Sequence, residues 1–212
     1  VGAAGHILAS LPMIGELVKK GVDVTYFAPA QFKAQVEKSG ATYKEMPDVS
    51  EGDSVDAGED FLAGIPLVFL GMAIGVVDSV IADLEADMPD VIIADELAIA
   101  GRLAASKLHL PLVMMYTSYA ANEHFSISRF WPVYPDTNPA RAKGLEIARG
   151  LQEQYGGKLL DVYEIFEGKG DFNIVTQPKS FHPAGNTFGD DFFFAGAQIA
   201  PRAEDGTWQA PD

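Results

Sequence analysis

Apolar residues recur at intervals of three and four through Leu8, Leu11, Ile14, Leu17 and Val18. That spacing places them on one helical face, and Gly21 supplies the stop, so the pattern predicts a helix over 8–20. A strand over 22–28, a helix over 31–39 closed by Gly40, and a short strand over 41–46 follow. Residues 48–60 are acidic and rich in Gly and Ser and read as a mobile loop, and 61–87 reads as one long apolar helix. Val91, Ile92, Ile93 and Ala94 form an unbroken apolar run, the mark of a strand buried on both faces, and Asp95 with Glu96 ends it. A helix over 98–107 leads through Pro111 into another buried strand at 112–116. Residues 117–139 have no period but carry Tyr119, Phe125, Phe130, Trp131 and Tyr134, and long ordered loops in compact domains tend to be functional. Helices over 140–155 and 158–166, strands over 172–175 and 192–195, and a polar linker-like stretch over 201–212 complete the chain.

Strands alternating with helices predict a doubly wound α/β fold, a Rossmann-like parallel sheet covered on both faces. In such a sheet the first and fourth strands meet where the winding direction reverses, and ligands bind outside the carboxyl ends there. A strand should precede the turn formed by Gly2, Ala3, Ala4, Gly5 and His6, yet only Val1 stands before it. Either that first strand is truncated or another segment supplies one, and we expect its place to be filled, because lost ladder partners are costly. Asp95 closes the fourth strand, so topology alone brings His6 and Asp95 to one crevice. A carboxylate fixes the tautomer of a histidine and stabilises its imidazolium, whereas the positive end of the helix opposes the charge; together they would poise His6 as a general base. The bland alternatives are an exposed first-turn histidine and an ordinary helix cap.

Composition narrows the field. A chain of 212 residues has room for one sizeable core, and a net charge of −15 disfavours nucleic acid and anionic membranes as partners. The absence of cysteine removes disulfides and thiolate chemistry, and a cytoplasmic protein is the default expectation. Residues 61–77 hold no charge, but Gly64, Pro66, Gly71 and Gly75 and the amphipathic continuation favour a core helix over a membrane span. No His-Glu-x-x-His spacing, phosphate loop or nucleophile elbow is present, so no protein-bound metal or cofactor is expected. Gly2 and Gly5 mimic part of a dinucleotide fingerprint, yet its third small position falls on Leu8. His109, His124 and His182 read as turn or loop residues.

The segments Gly5-His6-Ile7-Leu8-Ala9-Ser10-Leu11-Pro12, Glu16-Leu17 and Gly21-Val22-Asp23-Val24-Thr25-Tyr26 resemble the amino-terminal signature of family 1 glycosyltransferases, notably the bacterial macrolide and flavonoid glucosyltransferases. Pro89-Asp90-Val91-Ile92-Ile93-Ala94-Asp95 followed by Gly101-Arg102-Leu103-Ala104 is similar to the strand and helix that carry that family's catalytic aspartate. Ser118-Tyr119-Ala120, Asn122-Glu123-His124-Phe125 and Phe172-Asn173-Ile174-Val175 are similar to Bacillus-type members. The resemblance implies one half of a GT-B architecture, with residues 1–196 as the acceptor-binding domain and 197–212 as an interdomain linker or tail. It implies His6 as the base, Asp95 as its partner, inversion at the sugar, a UDP-sugar such as UDP-glucose as co-substrate without a metal, and a small-molecule acceptor. Thr117 would touch the donor sugar, and Gly5, Leu8, Phe69, Met72, Phe125, Phe130 and Trp131 would face the acceptor. Leu8-Ala9 stands where the family has Asn-Pro, and the donor half is expected as a carboxy-terminal domain, on the same chain or a separate one. The chain alone would then turn over nothing. The alternatives are a noncatalytic binding module of the same fold and a nicotinamide-dependent oxidoreductase.

Overall fold

The computed structural model describes residues 4–46, 61–130, 132 and 134–198. The readings made for the acidic loop, for Trp131 and for the terminal stretch lie outside them. Helix α1 (Ala4–Lys19) leads into β1 (Thr25–Ala28), α2 (Lys33–Lys38) and β2 (Thr42–Glu45). Then come α3 (Phe61–Ile74), α4 (Val77–Ala86), β3 (Ile92–Asp95), α5 (Ile99–Leu108) and β4 (Leu112–Tyr116). The chain continues through α6 (Pro139–Tyr155), α7 (Val162–Glu167), β5 (Phe172–Val175) and β6 (Phe192–Phe194).

All strand pairs are parallel, in two sheets of order β1-β2 and β3-β4-β5-β6. The expected strand joining the two sheets is not found among the described residues. They are bound instead through side chains. Phe27 and Met46 pack against the larger core, Lys44 pairs with Asp83 at 2.9 Å, and α1 delivers His6 to Asp95 at the end of β3.

The predicted long apolar helix is two helices. The uncharged α3 gives way to an amphipathic α4, and at the break the backbone tightens, with the Val76 N–H donating to the Ala73 carbonyl three residues back after the Gly75 N–H has closed the last full turn on Gly71. The stretch Leu62–Ala86 is long and apolar enough to cross a membrane, with an 18-residue window of mean hydropathy 2.2. Its Leu67, Leu70, Ala73, Val77, Val80 and Ile81 are nevertheless buried in the protein core. Leu70, Val77 and Ile81 join Leu103, Met114 and Val175 in one cluster, while Ile7, Ile14, Phe32 and Val36 form a second under α1 and α2. Strand β3 departs from the two-sided burial its apolar run predicts: Ile92 and Ala94 are covered by α5, whereas Ile93 is exposed.

Two further boundaries are set by caps. Asn138 accepts the Arg141 N–H at 3.1 Å with Pro139 in the first turn, which starts α6 where the pattern places it. Helix α7 begins later than predicted, because Gly156 and Gly157 adopt positive φ and Asp161 caps the turn through the Glu164 N–H at 2.8 Å.

Candidate active site

Parallel strands β3 and β4 end side by side, with Asp95 opposite Met115. Beyond their carboxyl ends four side chains meet. Asp95 uses Oδ1 to accept the Leu97 N–H at 3.0 Å, an Asx turn that fixes the carboxylate and leaves Oδ2 free to face His6 Nδ1 at 2.8 Å. His6 sits in the first turn of α1. Thr117, the residue after β4, places Oγ1 2.8 Å from the same Nδ1 and 3.3 Å from Glu96 Oε1. Glu96 is 6 % exposed, and its Oε1 also accepts the Ser118 N–H at 3.1 Å. The Glu96 N–H in turn donates to the Met115 carbonyl at 2.9 Å, tying the turn after β3 to the neighbouring strand.

The electrostatics follow from these contacts. The hydrogen bond to Asp95 raises the pKa of His6; burial opposes it, and the charges of Asp95 and Glu96 reinforce it. Glu96 is pushed up to about 7, first by burial and then by the Asp95 charge, against the Ser118 contacts and His6. With Nδ1–H donated to Asp95, a neutral His6 has Nε2 as its proton-accepting nitrogen. The His6 side chain is 22 % exposed, so the ring is held yet reachable. Such a pair can take a proton from a hydroxyl and stabilise the imidazolium that results. Among the described residues no three His, Asp or Glu side chains converge to hold a metal ion.

The structure thus brings together His6, Asp95 and Thr117, and adds Glu96, which the sequence pattern reads only as the end of a strand. Two acidic residues in succession at the carboxyl end of a buried strand were the available signal. The other predicted contacts are placed otherwise. Gly5 and Leu8 lie exposed on α1. Phe69 packs against the main core, where its ring meets Phe166 edge-on at 5.9 Å, and Met72 is half-buried in α3. Phe125 joins Tyr119, Phe188 and Phe194 around His182, a buried histidine that the sequence reads as a plain loop residue. Phe130 is 78 % exposed. His109 caps α5 in the left-handed region, and His124 is exposed beside Glu123. An open, shallow apolar pocket between α3 and α6 is lined by Leu62, Pro66, Leu70, Gly144 and Leu145, and by none of the four residues above.

No protein-family model matches the chain. The chain is 30 % identical over 210 residues to the NDP-glycosyltransferase YjiC of Bacillus licheniformis, a match spanning 95 % of this chain and 50 % of that protein. It is 29 % identical over 226 residues to the demethyllactenocin mycarosyltransferase of Streptomyces fradiae, spanning 99 % and 48 %. Among solved structures it superposes on the calicheamicin glycosyltransferase CalG4 with a TM-score of 0.80 at 27 % identity, covering 99 % of this chain and 53 % of that one. The glycosyltransferase of kitacinnamycin gives 0.79 at 26 %, covering 98 % and 52 %. The chain spans about half the length of the curated relatives it matches.

Proposed function

The chain belongs to the GT-B nucleotide-sugar glycosyltransferases, whose amino-terminal half it matches, and from that premise we propose that it is the acceptor-binding half of an inverting glycosyltransferase with His6 as general base. The reading rests above all on the 2.8 Å contact between His6 Nδ1 and Asp95 Oδ2 at the carboxyl ends of the parallel strands. In the reaction, His6 Nε2 takes the proton of an acceptor hydroxyl as its oxygen attacks the anomeric carbon. The bond from that carbon to the nucleotide diphosphate breaks, and the diphosphate leaves with the electron pair. Attack opposite the leaving group inverts the configuration. Asp95 holds the ring and balances the imidazolium charge as it forms. Thr117, beside His6 Nδ1, serves the ring as well as any donor contact.

The donor is a UDP-sugar, and the UDP-glucosyltransferases YojK and YdhE of Bacillus subtilis, to which the chain is similar, point to glucose. A chain of net charge −15 is a poor host for a diphosphate, so a carboxy-terminal donor half supplies most of that site. The acceptor is a hydroxylated apolar small molecule of the macrolide or flavonoid kind. The names of the mycarosyltransferase and of the oleandomycin glycosyltransferase of Streptomyces antibioticus support the macrolide reading. No metal or cofactor enters this scheme.

The test is reconstitution. The chain joined to the donor half of the Bacillus licheniformis relative, given UDP-glucose and a flavonoid, should form a glucoside. His6→Ala should lower the rate by about 10²–10⁴-fold, the range of a general base. A transfer rate that survives His6→Ala would refute the assignment.

A further inference from the structure

One nitrogen of His6 faces two oxygens of different character: Asp95 Oδ2 and Thr117 Oγ1, each 2.8 Å from Nδ1. A carboxylate only accepts, but a hydroxyl either donates or accepts. With its hydrogen turned toward the ring, Thr117 donates to Nδ1 and favours the tautomer protonated at Nε2, which cannot take a proton from a substrate. With its hydrogen turned away, Thr117 offers lone pairs, and Nδ1 keeps its own hydrogen. The acceptor on the far side decides between these, and that acceptor is Glu96 Oε1, 3.3 Å from Thr117 Oγ1.

Glu96 is an expensive residue to keep there. It is 6 % exposed and adjacent to Asp95, and burial beside a second acid disfavours its charge. Its neighbours are Asp95 at the end of β3, His6 on α1, and Tyr116 on β4, whose phenol Glu96 helps to push up. The same Oε1 accepts the Ser118 N–H, so the carboxylate is fixed toward the loop after β4.

Resting on the reading of His6 as the base, we propose that Glu96 is a positioning residue. By accepting the hydroxyl hydrogen of Thr117 it removes the competing donor at Nδ1, holds His6 in the Nδ1–H tautomer and keeps Nε2 open for the acceptor's proton. Asp95 acts on the same nitrogen directly; Glu96 acts on it through Thr117.

The experiment reads the ring itself rather than sugar transfer, so its failure is separable from failure of the functional reading. Nitrogen-15 NMR of the four histidines of the full chain, with the His6 signals assigned by their loss in His6→Ala, reports tautomer and titration midpoint. On the alkaline side of its titration His6 should be the Nδ1–H form. Glu96→Leu frees the Thr117 hydroxyl, and the signals should move toward the Nε2–H form. The double variant Glu96→Leu/Thr117→Val lacks the competing donor, and the Nδ1–H pattern should return. Glu96→Gln keeps an acceptor but loses the charge, so the tautomer should stay while the midpoint falls. Unchanged tautomers in a folded Glu96→Leu, or no return in the double variant, would overturn the proposal. If the leucine variant does not fold by circular dichroism, an unmoved His6 midpoint in Glu96→Gln overturns it instead.

Discussion

Glu96 carries the largest conflict between burial and charge in the site, and its sign is measurable. Its folded pKa, about 7, lies above the ordinary value of 4.5, so between those values the folded chain holds a proton that the unfolded chain has released. Stability therefore falls as pH rises through that window, by roughly 3 kcal/mol for a shift of this size. His6 works in the same direction: its raised pKa gives stability that is whole below 6.5 and is lost as pH rises through the folded value. Glu96→Gln should flatten the profile and be more stable than the parent above pH 8, as read by urea midpoints; parallel profiles would contradict this. Of these residues, His6 and Asp95 were legible in the sequence, because the end of a glycine turn and the end of a buried strand are positions that topology defines. Thr117 was legible only by resemblance, as a donor contact. Glu96 was not, because the pattern of apolar runs marks where a strand stops but not which of two successive acids turns inward. The burial of His182 was hidden for a related reason: its aromatic surroundings come from three separate segments.

At the level of elements, the position of Asp95 depends on how closely α5 lies on β3. A Cβ built on Gly101 would sit 3.1 Å from the Ala94 Cβ, one residue before the aspartate. Gly101→Val should push the helix from the strand and cost about 1–3 kcal/mol, the usual range for overpacking. Chemical denaturation measures it, and an unshifted midpoint would show that the contact relaxes without cost. The bounds of β4 and β5 were legible because short apolar runs between turn residues leave few alternatives. The break between α3 and α4 was not, because an uncharged segment followed by an amphipathic one reads as a single helix emerging from the core, and the interruption lies in backbone hydrogen bonding around Gly75. The exposed face of Ile93 was hidden too: an apolar run announces the capacity for burial, while what covers it is decided by tertiary packing.

At the scale of the whole molecule, two parallel sheets and the helix α1 converge on one crevice. The small sheet reaches it through Tyr26, which bonds Ser10 of α1 at 2.8 Å, and the large sheet through Asp95 and Thr117. The α/β class and the parallel order followed from the alternation of periods. The division into two sheets did not, because local pattern carries no information about which strands pair. In the proposed reaction a histidine held by an aspartate removes the acceptor's proton. The most direct measurement is the pH dependence of kcat/KM in the reconstituted enzyme, compared with Asp95→Asn. A base works when unprotonated, so the rate should rise with pH through the His6 pKa. Removing the carboxylate that raises that pKa should move the rise to lower pH and depress the plateau. A rise at the same pH in both enzymes would contradict the account.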